Sequence, residues 1–160
     1  MHSHPSAQPL TSPPPAPIPG PVAWLGYGGL LPFVTLAAVG LLAPTTPWWS
    51  AALLAYGAVI LSFVGALHWG FAMALSGLSS AERTRCFVWS VVPSLMAWPA
   101  TLLPPAGGAA LLVTGFVAHL VQDHRLAART SLPAWYLPLR WRLTTTACVC
   151  LAVGAMAASR

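Results

Sequence analysis

One apolar segment, WWSAALLAYGAVILSFVGALHWGFAMAL at Trp48–Leu75, runs for 28 residues without an Asp, Glu, Lys or Arg. About 20 apolar residues in a helix cross the ~30 Å hydrocarbon core of a bilayer, so this segment is long enough to span a membrane. The whole chain of 160 residues is 57% hydrophobic and only 6% charged. Because a soluble domain has roughly 25% charged residues, this composition excludes an ordinary water-soluble domain. It predicts an all-α membrane protein.

Four other apolar stretches approach the same length, and clusters of proline, glycine and serine separate all five. The predicted spans are Val22–Leu42, Trp48–Leu75, Cys86–Leu103, Ala106–Leu126 and Leu139–Ala158. Pro44 and Pro47 lie in the first break. We therefore predict a bundle of five transmembrane helices that forms one domain, residues 22–160.

The first 21 residues form a separate segment that carries eight of the 17 prolines. Proline removes backbone donors and restricts φ, so we predict a disordered or extended segment here. No positive n-region, apolar h-region or small-residue cleavage site of a secretory signal precedes Val22. We expect the first hydrophobic helix to remain in the mature protein.

The positive charges predict the orientation of the bundle. The chain has seven Arg, no Lys and two acidic residues, with a formal net charge of +5. Five spans place six of these arginines on the side of the N-terminus and only Arg160 on the other. Positive residues in short loops stay in the cytoplasm, so the N-terminus is predicted inside and the C-terminus outside. From this charge pattern we expect the protein to be embedded in a lipid bilayer and not to bind a nucleic acid.

Two faces of the second span carry small residues, which let helices approach closely. A stripe at four-residue spacing consists of Ala58, Ser62, Ala66, Gly70 and Ala74. A second face consists of Gly57, Leu61, Gly65, His68 and Ala72. We expect the stripe to pack against a neighbouring helix, with the second span at the centre of the bundle.

Several polar side chains are predicted inside the membrane at a similar depth. His68 and His119 each lie seven residues from the same end of their spans, about 10 Å below the surface at ~1.5 Å per residue. Asp123 follows His119 by four residues and shares its helix face. Arg140 begins the fifth span and can reach this level with its long side chain. Ionisable groups are expensive in lipid, which makes them candidates for function. The candidate ligand-binding residues are His68, Asp123, His119, Arg140, Trp135 and Tyr136.

Two prolines fall in the same layer of the predicted bundle. Pro32 deprives the carbonyl of Gly28 of its helical donor, and Pro93 does the same to the carbonyl of Trp89. Irregular backbone at membrane depth is tolerated where protein buries it or where it lines a cavity. The pattern predicts a small polar cavity open to the cytoplasm.

A purely structural role is the alternative interpretation of these polar groups. In that case Asp123 pairs with one of three arginines near the membrane surface, and His68 donates to a freed carbonyl. The three arginines are Arg125, Arg129 and Arg140.

The sequence lacks the motifs of common membrane enzymes. It contains no His-Glu-x-x-His, no Gly-x-Ser-x-Gly and no Cys-x-x-Cys, so we assign no catalytic residue and no metal site. His68 and His119 on neighbouring spans could serve as the two axial ligands of a b-type haem, which we keep as an alternative. We expect no cofactor and do not expect an enzyme.

Four segments resemble the motifs of one small integral-membrane family. They are LGYGGLLPF at Leu25–Phe33, YGAVILSFVGALHWG at Tyr56–Gly70, VPSLMAW at Val92–Trp98 and LPAWYLPLR at Leu132–Arg140. The family has no established function, is common in proteobacteria and includes the mammalian transmembrane protein 69. The resemblance covers nearly everything from Val22 onward. It implies a membrane fold and a bacterial inner-membrane location, and it carries over no catalytic residue.

These observations predict an inner-membrane protein that binds a small ligand or acts as an accessory or assembly factor of a membrane complex. The alternatives are a haem- or quinone-linked redox protein and a small transporter. Another membrane protein or a second copy of the chain is an expected partner.

Overall fold

The computed structural model describes residues 17–43, 45–46 and 48–160. Regular secondary structure within these ranges is entirely helical, which confirms the predicted all-α class. The helices are α1 (Gly20–Gly28), α2 (Leu31–Leu42), α3 (Trp48–Ala74), α4 (Ser80–Ala100), α5 (Pro105–Ala127) and α6 (Tyr136–Ala158). Most of the predicted proline-rich segment, residues 1–16, lies outside the described residues, as do Pro44 and Pro47.

Helices α1 and α2 form one interrupted apolar segment. The interruption falls at Gly29 and Leu30, just before Pro32 in the first turn of α2. Proline is tolerated there because the first helical N–H groups have no intrahelical acceptor. The Tyr56 hydroxyl donates to the carbonyl of Gly29 over 2.8 Å, so a side chain of α3 provides a hydrogen bond to a backbone carbonyl at the interruption. The predicted break near Pro32 is confirmed.

Side chains of α4 stabilise the turn between α3 and α4. Ser79 and Glu82 form a reciprocal capping box at the start of α4. The hydrogen bonds from Ser79 lower the pKa of the Glu82 carboxyl below its ordinary value. The Arg83 guanidinium donates to the carbonyls of Ala72 and Leu75 at the end of α3. These contacts hold the two helices antiparallel at this end.

Helix α3 lies at the centre of the bundle, as predicted, because it packs against α2, α4, α5 and α6. It packs tightly against α4 at Gly65, where an added Cβ would lie 2.8 Å from Cβ and Cγ of Pro93. Helix α4 continues through Pro93 without ending. The second predicted face of α3, which includes Gly65, is therefore the one that packs on its neighbours.

The small-residue stripe of α3 does not form the packing face that its spacing predicts. Ala66, Gly70 and Ala74 are exposed, and a Cβ added at Gly70 would meet nothing within 4 Å. Only Ala58 at the far end of the stripe is buried. Small residues occur on both faces of this helix, so spacing alone did not identify the buried one.

Among the residues that the structure describes, three helical segments are long and apolar enough to cross a membrane: Gly20–Leu42, Trp48–Ala74 and Pro105–Ala127. Helices α4 and α6 have 21 and 23 residues and carry arginines near their N-termini. The C-terminal ends of α3 and α5 and the N-terminal ends of α4 and α6 lie together at one end of the bundle, here called the Arg-rich end. It carries Arg83, Arg85, Arg125, Arg129, Arg140 and Arg142.

Candidate functional site

A fully buried carboxylate connects three helices near the Arg-rich end. Asp123 on α5 accepts a hydrogen bond from Nε of Arg140 on α6, 2.8 Å from Oδ2. Its Oδ1 accepts from the Tyr136 hydroxyl at 3.1 Å. Nε2 of His68 on α3 lies 3.0 Å from the same Oδ1. Tyr136 and Arg140 are four residues apart, so they share one face of α6 and reach the same carboxylate.

The donors around Asp123 indicate the charge state of the group. The Arg140 guanidinium is permanently protonated, and an ionised Asp123 is its buried counter-charge. A carboxylate only accepts hydrogen bonds, so His68 donates from Nε2. The three donors and the carboxylate form a closed network with no net charge when His68 is neutral.

A hydrogen bond between an indole and an imidazole determines which nitrogen of His119 carries the proton. Nε1 of Trp89 on α4 donates to Nδ1 of His119 over 3.1 Å. Because an indole N–H can only donate, Nδ1 carries a lone pair and the proton of the neutral ring is on Nε2. That Nε2 lies 3.7 Å from Oδ1 of Asp123, too far for a hydrogen bond.

Three buried polar atoms have no hydrogen-bond partner among the described residues. They are Nε2 of His119, Nη2 of Arg140 and Oγ1 of Thr144. Thr144 follows Arg140 by one turn on the same face of α6 and is also buried. Nε2 of His119 and Nη2 of Arg140 are donors, so the arrangement offers hydrogen bonds to an acceptor atom.

The geometry of the cluster bears on metal and haem binding. One ligand atom from each of His68, His119 and Asp123 lies within 4.8 Å of the others. However, the proton on Nε2 of His119 blocks that nitrogen, and Arg140 already provides a cation at Asp123. The rings of His68 and His119 meet edge to face with centroids 5.0 Å apart, which leaves no room for a porphyrin between them. This arrangement fits neither group.

The structure brings together five of the six predicted site residues. His68, His119, Asp123, Tyr136 and Arg140 all belong to the cluster described above. The ring of Trp135, which lies just before α6, meets the ring of Tyr136 edge to face. Within the described residues, Trp135 makes no hydrogen bond to the Asp123 carboxylate.

A purely structural role of the polar groups predicted specific neighbours for Asp123 and His68. Asp123 pairs with Arg140, which was one of the three arginines considered. His68 contacts Asp123 and does not donate to a freed carbonyl. The pairing of Asp123 with Arg140 was therefore a correct option, and the predicted partner of His68 was wrong.

Sequence reasoning missed two residues of the cluster. Thr144 could have been found, because four-residue spacing places it beside Arg140. Trp89 gives no such signal, because a tryptophan in an apolar helix usually faces lipid or core. Its role depends on the packing of α4 against α5.

Two cavities adjoin the cluster. The smaller one, about 30 Å³, opens at the Arg-rich end next to His68 and is rimmed by charged side chains. They are Glu82, Arg85, Arg125 and Arg129. The larger one, about 100 Å³, is lined mainly by apolar side chains of α2, α3, α5 and α6 and by the α1–α2 break. We call it the lateral cavity. The small polar cavity was predicted beside His68, His119 and Asp123, and of these three only His68 lines the smaller cavity.

Comparison with known proteins places the chain among membrane proteins without a described activity. The family described as "Protein of unknown function (DUF3429)" matches residues 18–156. Transmembrane protein 69 of Xenopus tropicalis is 35% identical over 135 residues, which cover 81% of this chain and 51% of that relative. The chain thus spans about half the length of the curated relative. No solved structure matches. The family resemblance is confirmed, and the apolar helices together with this relative support an integral membrane protein.

Proposed function

The chain belongs to the family described as "Protein of unknown function (DUF3429)", and we propose that it is a membrane protein that binds a small ligand at the buried polar cluster. The observation that carries this proposal is the set of unpartnered polar atoms beside a fully hydrogen-bonded Asp123. A buried polar atom without a partner costs about 1–3 kcal/mol. A ligand with an acceptor oxygen would remove part of that cost.

The network around Asp123 holds the donors of this site in place. Nε of Arg140 is fixed by Asp123, which orients the rest of the guanidinium. Nδ1 of His119 is fixed by Trp89, which orients its Nε2–H. Donors that are oriented before binding lose little conformational entropy when a ligand arrives. We therefore assign Asp123 a positioning role and Arg140, which lines the lateral cavity, direct contact with the ligand. His119 lines neither cavity, so we assign it no contact with the ligand.

We also propose the topology and location of the protein. Five spans, with α1 and α2 as one broken span, place the Arg-rich end in the cytoplasm by the positive-inside rule. The N-terminus is then inside and the C-terminus outside. The apolar spans and the arginines at one end of the bundle fit a location in a bacterial inner membrane.

Native mass spectrometry of the gently solubilised protein tests the proposed function. The parent should retain a small-molecule mass that the double variant Asp123→Asn/Arg140→Met loses, because this variant removes the donor without leaving an unpaired buried charge. The matched control is His124→Phe, since His124 lies on α5 outside the cluster and contacts Leu120 and Trp141.

Other outcomes identify the alternatives. Retained protein subunits without a small molecule would indicate an accessory or assembly factor and contradict the proposal. A haem mass with a Soret band would indicate a cytochrome and overturn the geometric exclusion of haem. Two folded variants and a folded parent, all without bound mass, would also contradict ligand binding.

A further inference from the structure

The lateral cavity is bordered by two of the unpartnered polar groups. Arg140 and Thr144 line it, and both residues are at least 95% buried. The remaining side chains that line it are apolar, and they include Phe33 and Phe116, whose rings meet edge to face at 6.2 Å. A cavity with an apolar wall and two adjacent polar groups at one side suits a molecule that is itself apolar with one polar end.

The position of the cavity shows how such a molecule could enter. Leu25 and Phe63 line it and are 79% and 64% exposed, so its mouth is at the side of the bundle. Gly26 of α1 and Gly29 at the α1–α2 break form part of the wall. A side opening between apolar residues connects the cavity with the bilayer interior.

Volume limits what the lateral cavity can hold. It measures about 100 Å³, whereas pockets for drug-sized molecules measure about 300–1,000 Å³. Only one ring or one short polar head fits inside. The rest of the molecule must extend through the side opening between Leu25 and Phe63 into lipid.

Charge limits the chemistry of the polar end. Asp123 already compensates the charge of Arg140. A carboxylate or phosphate in the cavity would add an uncompensated buried charge, which is unfavourable. A neutral carbonyl oxygen can accept from Nη2 of Arg140 and from the Thr144 hydroxyl without that penalty.

We propose that the lateral cavity binds the neutral carbonyl end of a membrane-soluble amphiphile, with Arg140 and Thr144 as the donors. This inference rests on the proposed ligand-binding function and adds the place and the chemical class of the ligand. Two membrane molecules carry this chemistry: a quinone, and a glycerolipid through its ester carbonyl.

The test uses the full chain in nanodiscs of a diether phosphatidylcholine, which lacks ester carbonyls. Binding of decyl-benzoquinone is measured by the shift in Tm as the quinone concentration rises. A parallel sample in diester phosphatidylcholine without quinone shows whether ester carbonyls alone stabilise the protein. A shift with quinone in diether lipid identifies the quinone as the ligand, and a higher Tm in diester lipid alone identifies the glycerolipid.

Two pairs of variants locate the binding site. Thr144→Val removes one donor and should weaken binding by about three- to tenfold, the value of one hydrogen bond. Thr145→Val is its control because Thr145 is exposed. Gly26→Leu should block the cavity, since its side chain would extend from the cavity wall. Gly28→Leu is the control, because a Cβ there meets nothing within 4 Å.

The outcomes separate this inference from the proposed function. If the parent retains a small molecule and Thr144→Val and Gly26→Leu bind like their controls, the lateral cavity is the wrong site while the proposed function stands. If neither quinone nor ester lipid changes the Tm, the carbonyl class is wrong. If the parent retains no small molecule, or the double variant Asp123→Asn/Arg140→Met retains as much as the parent, the proposed function fails independently.

Discussion

The indole of Trp89 donates to Nδ1 of His119 over 3.1 Å, and this contact determines which nitrogen of His119 carries the proton. The two residues lie on α4 and α5, 30 positions apart in the chain. The contact makes His119 a hydrogen-bond donor toward the interior of the cluster. Because Nε2 then carries the proton, this nitrogen is not available as a metal ligand.

Replacing Trp89 with phenylalanine should therefore allow both neutral tautomers of His119 to form. We expect the ¹⁵N resonances of the ring to change from a protonated Nε2 to a mixture of both tautomers. The lost hydrogen bond should lower the free energy of unfolding by about 1 kcal/mol. Trp98→Phe is the matched control on the same helix, since Trp98 is exposed. Unchanged ring resonances in Trp89→Phe would show that another group holds the tautomer.

Replacing Asp123 with asparagine should strongly destabilise the protein. Arg140 would then be a buried charge without a counter-charge, and breaking such a pair costs about 3–5 kcal/mol. The double variant Asp123→Asn/Arg140→Met removes both charges and should recover part of the Tm in detergent. Glu82→Gln serves as control, because its pairing with Arg129 is at the surface and glutamine preserves the capping box. A fully stable single variant would mean that Asp123 and Arg140 are not paired in the membrane.

Replacing Gly65 with alanine should lower the Tm, because the new Cβ would lie 2.8 Å from Pro93. Overpacking of this kind costs about 1–3 kcal/mol. Gly70→Ala should be tolerated, since the space around Gly70 is open. The comparison needs only thermal unfolding of both variants in one detergent. A larger loss at Gly70 would show that the exposed stripe contacts a second protein copy.

Reporter fusions test the proposed topology. A reporter placed after Arg160 should be active only if it functions outside the cytoplasm. One inserted between Gly77 and Glu82 should be active only if it functions inside, because this loop adjoins the Arg-rich end. Activity of both fusions with the same class of reporter would rule out three spans between this loop and the C-terminus.

The periodicity and composition of the chain were sufficient to predict the helical class and the approximate limits of the long helices. Spacing within one helix is set by 3.6 residues per turn, so Asp123 could be placed beside His119 without a structure. Pro32 likewise indicated the break in the first span, because proline has no backbone N–H with which to complete the helical hydrogen bonds. These are local properties, and the sequence contains them directly.

Contacts between helices depended on the tertiary structure. The rotation of α6 against α5 brings Arg140 to Asp123. The approach of α4 to α5 brings Trp89 to His119. Each helix can turn about its own axis without changing its sequence pattern, and only packing of all its neighbours selects one rotation. For the same reason the four-residue stripe suggested the wrong face of α3, while close packing against Pro93 uses Gly65.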